Sequence, residues 1–108
     1  AHGTGTLAND RAESAAVLEV FGSKPPPVSS TKSMHGHAIG ATGALEAIAC
    51  VQALSEDMLP PTLGFEAADP DCPLDVVTHR ARQARVEAVL SNAFAFGGLN
   101  AVLVFRRA

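Results

Sequence analysis

Gly97-Gly98 stands between two strand-like runs, Val86 to Asn92 and Ala101 to Phe105. A glycine pair in that setting makes a tight turn, so the chain is expected to end in an antiparallel hairpin. The other end predicts a helix. Asp10 and Glu13 have capping-box-like spacing, and Val17, Leu18 and Phe21 mark one face, with Ser14 on the same stripe. Glu13 and Glu19 fall on other faces. Gly22 supplies a left-handed stop and Pro25-Pro26-Pro27 forbids continuation, which confines this helix to about residues 10–21.

Val28 to Ser33 suits an extended segment. From Met34 an apolar run continues through Leu54, with Gly36, Gly40, Gly43 and Ala47 at spacings of four, three and four. That pattern predicts a second helix with one face of small residues, open to close approach by another backbone and buried nearly all round. Three glycines at about 1 kcal/mol each need a packing or functional reason. Residues 55–73, broken by Pro60-Pro61, Pro70 and Pro73, read as irregular, Leu74 to Thr78 as a short strand, and 79–85, with Arg80, Arg82 and Arg85, as a solvated turn. The order loop, helix, strand, helix, strand, strand is an α/β layer.

Composition narrows the function classes. A chain of 108 residues, 47% hydrophobic and 18% charged, fits one modest domain and is too apolar for disorder. No stretch approaches the roughly 18 apolar residues of a membrane-spanning helix. A net charge of −3, with neither Trp nor Tyr, argues against a nucleic-acid binder built on base stacking. The two cysteines, Cys50 and Cys72, are too few and too far apart for a zinc site or a disulfide framework, so a reducing, cytoplasmic setting is expected. The chain opens without Met at Ala1-His2-Gly3-Thr4, in the middle of a polar loop, and reads as a piece of a longer protein.

Three polar clusters lie in otherwise small or apolar segments: His2 with Thr4 and Thr6, Lys32 with His37, and the turn from Asn92 to Asn100. Taken singly each has an ordinary structural explanation: a hydrogen-bonded strand-end histidine, a snorkelling lysine, core phenylalanines at period two. Cys50 reads as a small buried hydrophobe and Cys72 as a loop cysteine without a base beside it. His35-x-His37 lacks a third ligand, so no metal is expected.

Taken together, His2-Gly3-Thr4-Gly5-Thr6, then Ser30-Thr31-Lys32-Ser33-Met34-His35-Gly36-His37 running into Gly40-Ala41-Thr42-Gly43, then Ser91-Asn92-Ala93-Phe94-Ala95-Phe96-Gly97-Gly98-Leu99-Asn100, resemble the C-terminal part of the β-ketoacyl-ACP synthases. These are the condensing enzymes of fatty acid and polyketide synthesis. Three motifs in the same order and spacing make a specific match. The resemblance implies a thiolase-like fold of two βαβαββ halves, with residues 1–108 as most of the C-terminal half lacking its first strand. It implies that His2 and His37 are catalytic and stabilise the enolate formed as a malonyl thioester loses carbon dioxide. Lys32 would be the buried active-site lysine and Glu46 its carboxylate partner. Thr4 and Thr6 would bind the phosphopantetheine arm, and Phe96 would supply an oxyanion-hole N–H and a gating ring. Ala95 stands where many members have Gly, and His35 has no assigned role.

The same resemblance implies no cofactor beyond the phosphopantetheine that carries the substrates on acyl carrier protein. Its implied partners are acyl carrier protein, the N-terminal half of the same enzyme with the nucleophilic Cys, and a second copy in a homodimer, with no nucleic acid and no membrane. The arginines of 79–85 are better read as solvated than as a carrier-docking patch. The rival reading is a non-catalytic partner subunit resembling a chain-length factor.

Overall fold

A computed structural model describes all of residues 1–108. The first helix, α1, runs Leu7–Phe21, three residues longer at its start than the sequence predicts. The cap is Thr6, not Asp10: its backbone is extended and its hydroxyl accepts the Asn9 N–H. At the far end the Gly22 N–H closes on the Leu18 carbonyl at 2.8 Å, as expected of a glycine stop. The expected stripe is corrected. Glu13 and Ser14 are the buried residues of α1, whereas Val20 and Phe21 are exposed. A carboxylate turned inward must be fully hydrogen-bonded, and this one is, as described below.

The long glycine-bearing helix is also corrected. The chain makes a short turn, α2 (Lys32–His35), breaks at Gly36 (φ +75°), passes through a 3₁₀ turn at Ile39–Ala41, and only then enters α3, Thr42–Glu56. Gly36, Gly40, Gly43 and Ala47 therefore share no helical face. A Cβ added at any of the three glycines would meet nothing within 4 Å in this chain. Nor is α3 buried all round: Thr42, Glu46, Cys50, Ala53 and Leu54 point inward, while Ile48 and Val51 are more than half exposed.

After α3, β1 (Met58–Leu59) pairs antiparallel with β2 (Arg82–Gln83), so the segment expected as a solvated turn holds a strand. Arg82 also makes a bidentate ion pair with Asp75, at 2.6 and 2.8 Å. Residues 74–78 are extended but bridge their neighbours singly, Val76 to Val28 and Thr78 to Thr62, both parallel. Between them Val77 is almost fully enclosed. The terminal hairpin forms as predicted and is longer than expected: β3 (Ala88–Ala95) pairs with β4 (Leu99–Arg106) over eight residues each. Asn92, Phe94 and Asn100 thus belong to the ladder. The turn is Phe96-Gly97-Gly98, and both glycines take the positive φ, +85° and +78°, that other residues avoid. Ala95 stays in the strand and needs no such conformation.

The architecture is mixed α/β, with α3 packed on the hairpin. No helix is long and apolar enough to cross a membrane. Only four hydrophobic residues are buried: Cys50, Ala53, Leu54 and Val77. Val102, Leu103 and Val104 on β4 are each more than half exposed, on both faces of the hairpin. A surface so apolar is rare on a soluble monomer. The chain expressed alone is therefore expected to self-associate, and analytical ultracentrifugation would detect this. A monomer at high concentration is the contrary result.

Candidate functional site

The site is built where the loop before α1, the turn α2 and the start of α3 meet. Gly3 sets the loop. Its φ is +45°, and a Cβ there would lie 2.5 Å from the Ser30 Cβ, so only glycine fits. Ser30 closes the same contact by donating to the Gly3 carbonyl at 2.6 Å.

Beneath the loop lies Glu13, the residue the sequence reading missed. Its Oε1 accepts the His2 N–H at 2.7 Å and the Asn92 amide at 3.0 Å. Its Oε2 accepts the Gly3 N–H at 2.9 Å and the Asn9 amide at 3.3 Å. Four donors fill the carboxylate's lone pairs. Burial alone would raise its pKa, but the hydrogen bonds from Gly3, Asn92 and His2 outweigh burial and hold it below the ordinary glutamate value. The visible hint was Asn9 at i, i+4 from Glu13, with Asn92 in a second motif.

The sign of the linkage follows. A depressed carboxyl pKa adds stability that is fully present above about pH 4.3 and is lost as pH falls through the lower folded value. Glu13→Gln should remove that acid-side slope and place an amide N–H against donors. We expect the wild-type melting temperature to fall more steeply than the variant's as pH drops below about 4.3. Parallel curves from calorimetry across that range would count against the assignment.

His2, held by Glu13, is buried. Its ring meets that of His37 edge to face, with centroids 5.7 Å apart and planes at 85°. The Phe94 ring also packs on His2, with centroids 5.5 Å apart. Lys32, buried, donates to the His2 carbonyl at 2.6 Å and to Glu46 Oε1, and faces His2 Nδ1 at 3.5 Å. An ammonium has only donors, so the Nδ1 it faces is the unprotonated nitrogen and the ring carries its proton on Nε2. Burial first, then the Lys32 charge, lowers the His2 pKa below the ordinary value, which keeps the ring neutral at pH 7. Glu46 Oε2 is buried without a partner.

His37 lies on the exposed side of the pair. Its Nδ1 accepts the Ile39 N–H at 3.0 Å. To present that N–H, Ile39 adopts φ +49°, a left-handed conformation that costs a β-branched residue about 1–3 kcal/mol. Both rings therefore carry their N–H on Nε2. Two such donors can meet one oxygen on which negative charge is developing.

The structure thus brings together His2, His37, Lys32 and Glu46. Thr4 lines a cleft of about 780 Å3 shared with Lys32 and His37, and its hydroxyl lies 3.0 Å from that of Thr6. Thr6 uses its oxygen to cap α1. Phe96 is fully exposed at the hairpin tip, and the aromatic ring against His2 is that of Phe94. His35 is exposed and hydrogen-bonded locally to Thr31 and Gly36. Cys50 is buried, and burial raises its thiol pKa, which disfavours a nucleophilic thiolate there. No three His, Cys, Asp or Glu side chains are grouped as a metal site.

Known proteins resemble this chain in sequence and fold. The family described as "Beta-ketoacyl synthase, C-terminal domain" matches residues 1–66. Nodulation protein E of a Rhizobium species is 55% identical over 99% of the chain. The 3-oxoacyl acyl-carrier-protein synthase 2 of Synechocystis is 47% identical over 99%. The chain spans only about a quarter of these relatives, 27% and 26% of their lengths. The solved ishigamide ketosynthase/chain length factor superimposes with a TM-score of 0.96 at 51% identity, over 99% of this chain and 27% of that one.

Proposed function

The chain belongs to the β-ketoacyl synthase family, whose C-terminal domain it matches, and on that premise we propose that it supplies the decarboxylation half of a condensing site. In this reading a malonyl thioester on acyl carrier protein enters the cleft beside Thr4, and Thr4 and Thr6 are the hydroxyls that bind the phosphopantetheine arm. The bond to the carboxylate breaks and carbon dioxide leaves. The electron pair passes into the thioester, giving an enolate oxygen. His2 and His37 donate their Nε2–H to that oxygen. The enolate carbon then attacks an acyl thioester on a cysteine, and the thiolate departs.

Lys32 keeps His2 oriented and neutral, and Glu46 balances the Lys32 charge. The arrangement that carries the reading is the edge-to-face histidine pair with the ammonium behind His2. Phe96 is assigned a gate and oxyanion donor at the hairpin tip. The nucleophilic cysteine is taken to lie outside residues 1–108, because Cys50 is enclosed and Cys72, though it lines the same cleft, is a loop residue hydrogen-bonded to no histidine. Residues 1–108 thus form a C-terminal half-domain that pairs with an N-terminal half and works in a homodimer, in the cytoplasm.

Both histidines and their proton arrangement are present, which favours an enzyme over a non-catalytic chain-length-factor-like subunit. The test incubates the longer protein with an acyl primer and malonyl acyl carrier protein. Mass spectrometry should find a 3-oxoacyl carrier product, and residues 1–108 alone should give none. A longer protein that loads acyl groups yet never decarboxylates malonyl thioesters would reject the reading.

A further inference from the structure

Thr42 opens α3, and nothing above gives it a role. Its side chain is buried, at 5% exposure, and its hydroxyl caps nothing. Its single hydrogen bond is to His37 Nδ1, at 3.3 Å. The direction of that bond is fixed by a neighbour. The Ile39 N–H, which can only donate, already points at the same nitrogen from 3.0 Å. Nδ1 therefore carries no proton, and the Thr42 hydroxyl must be the donor.

We propose that Thr42 is a positioning residue that, with the Ile39 amide, clamps His37 as the tautomer protonated on Nε2. The inference rests on the reading of His37 as a donor to the thioester oxygen. The two donors come from adjoining elements, both beyond the break at Gly36. Ile39 lies in the 3₁₀ turn and Thr42 in the first turn of α3. Together they restrain both the tautomer and the rotation of a ring that is otherwise exposed. One donor alone would leave the ring free to tilt about the Ile39 contact. A small loss of aim matters because the N–H must meet the position the oxygen takes only as charge develops. The sequence hid this role, since Thr42 sits among small residues and reads as a helix former of no distinction.

The test uses the longer protein that carries this chain, with Thr42→Val, which removes the hydroxyl at nearly constant volume, and Thr42→Ser, which keeps it. Thr42→Val should lower kcat for malonyl decarboxylation about three- to tenfold, with KM within about twofold, a loss suited to one shared hydrogen bond. In nitrogen NMR of labelled histidine, the His37 Nδ1 signal should move away from that of a doubly bonded acceptor. Thr42→Ser should restore both. Unchanged kcat together with an unchanged Nδ1 signal in Thr42→Val would overturn the proposal. So would a Thr42→Ser protein no better than the valine variant. The spectrum is read without substrate, so it decides the Thr42 contact whether or not the decarboxylation assigned above is found. Should Thr42→Val not fold, the same pair of readouts on Thr42→Ala against Thr42→Ser decides it.

Discussion

His37→Ala in the longer protein is expected to lower malonyl decarboxylation at least about 100-fold while leaving acyl loading of the cysteine measurable. The split follows from where the ring lies. His37 is on the exposed side of the pair, tethered through Nδ1 by Ile39 and Thr42, with its Nε2–H free to meet a substrate oxygen. It makes no contact that holds Lys32, Glu46 or Glu13 in place, so its loss removes a donor without dismantling the site. A donor aimed at charge that exists only in the transition state changes kcat and leaves KM largely alone. In the proposed reading acyl loading uses a different carbonyl and a thiolate from outside residues 1–108, so it should persist. His37→Gln, which keeps an N–H but not the ring's placement, should fall between the two. Decarboxylation in His37→Ala at the wild-type rate would remove the central role given to this imidazole.

Much of this site was legible in the sequence because its groups sit in short motifs whose order and spacing are specific. His2, Lys32, His37 and Glu46 come from three separate segments, yet each is fixed by local grammar: a glycine at a position no Cβ can occupy, a turn between prolines and glycines, the first turns of a helix. The hairpin was legible for a similar reason, since Gly97-Gly98 admits few alternatives. What escaped notice depends on tertiary neighbours. Glu13 read as the capping-box partner of Asp10, off the apolar face, and only the arrival of the His2–Gly3 backbone and Asn92, 79 residues away, turns it into a buried anchor. The glycines of residues 36–43 suggested a helical face, whereas only Gly36 takes a conformation that needs glycine, ahead of α3. There Gly36 turns the chain and Ile39 accepts a strained backbone to aim its N–H. The periodicity is real, but at these positions the site overrides propensity.

The largest effect on stability should come from the buried ion pair of the site. Lys32 and Glu46 are both buried, and each is the other's only countercharge in contact. Lys32→Met should leave the Glu46 carboxylate enclosed with neither of its oxygens satisfied by that partner, at a cost of about 3–5 kcal/mol. Denaturant unfolding of the longer protein would show this as a lower midpoint. Removing the second charge as well, in Lys32→Met with Glu46→Leu, should recover most of that loss, because an apolar pair of similar volume avoids desolvating two ions. Activity should not return with stability. The double variant leaves His2 Nδ1 without the ammonium that faces it and the His2 carbonyl without its donor, so the ring is free to carry its proton on either nitrogen. A stable, correctly folded double variant that cannot decarboxylate would separate the two tasks of Lys32, balancing Glu46 and dictating which nitrogen of His2 holds the proton. If the double variant regained both, the ammonium would be structural alone, and the orientation of His2 would have to come from Glu13 and Phe94.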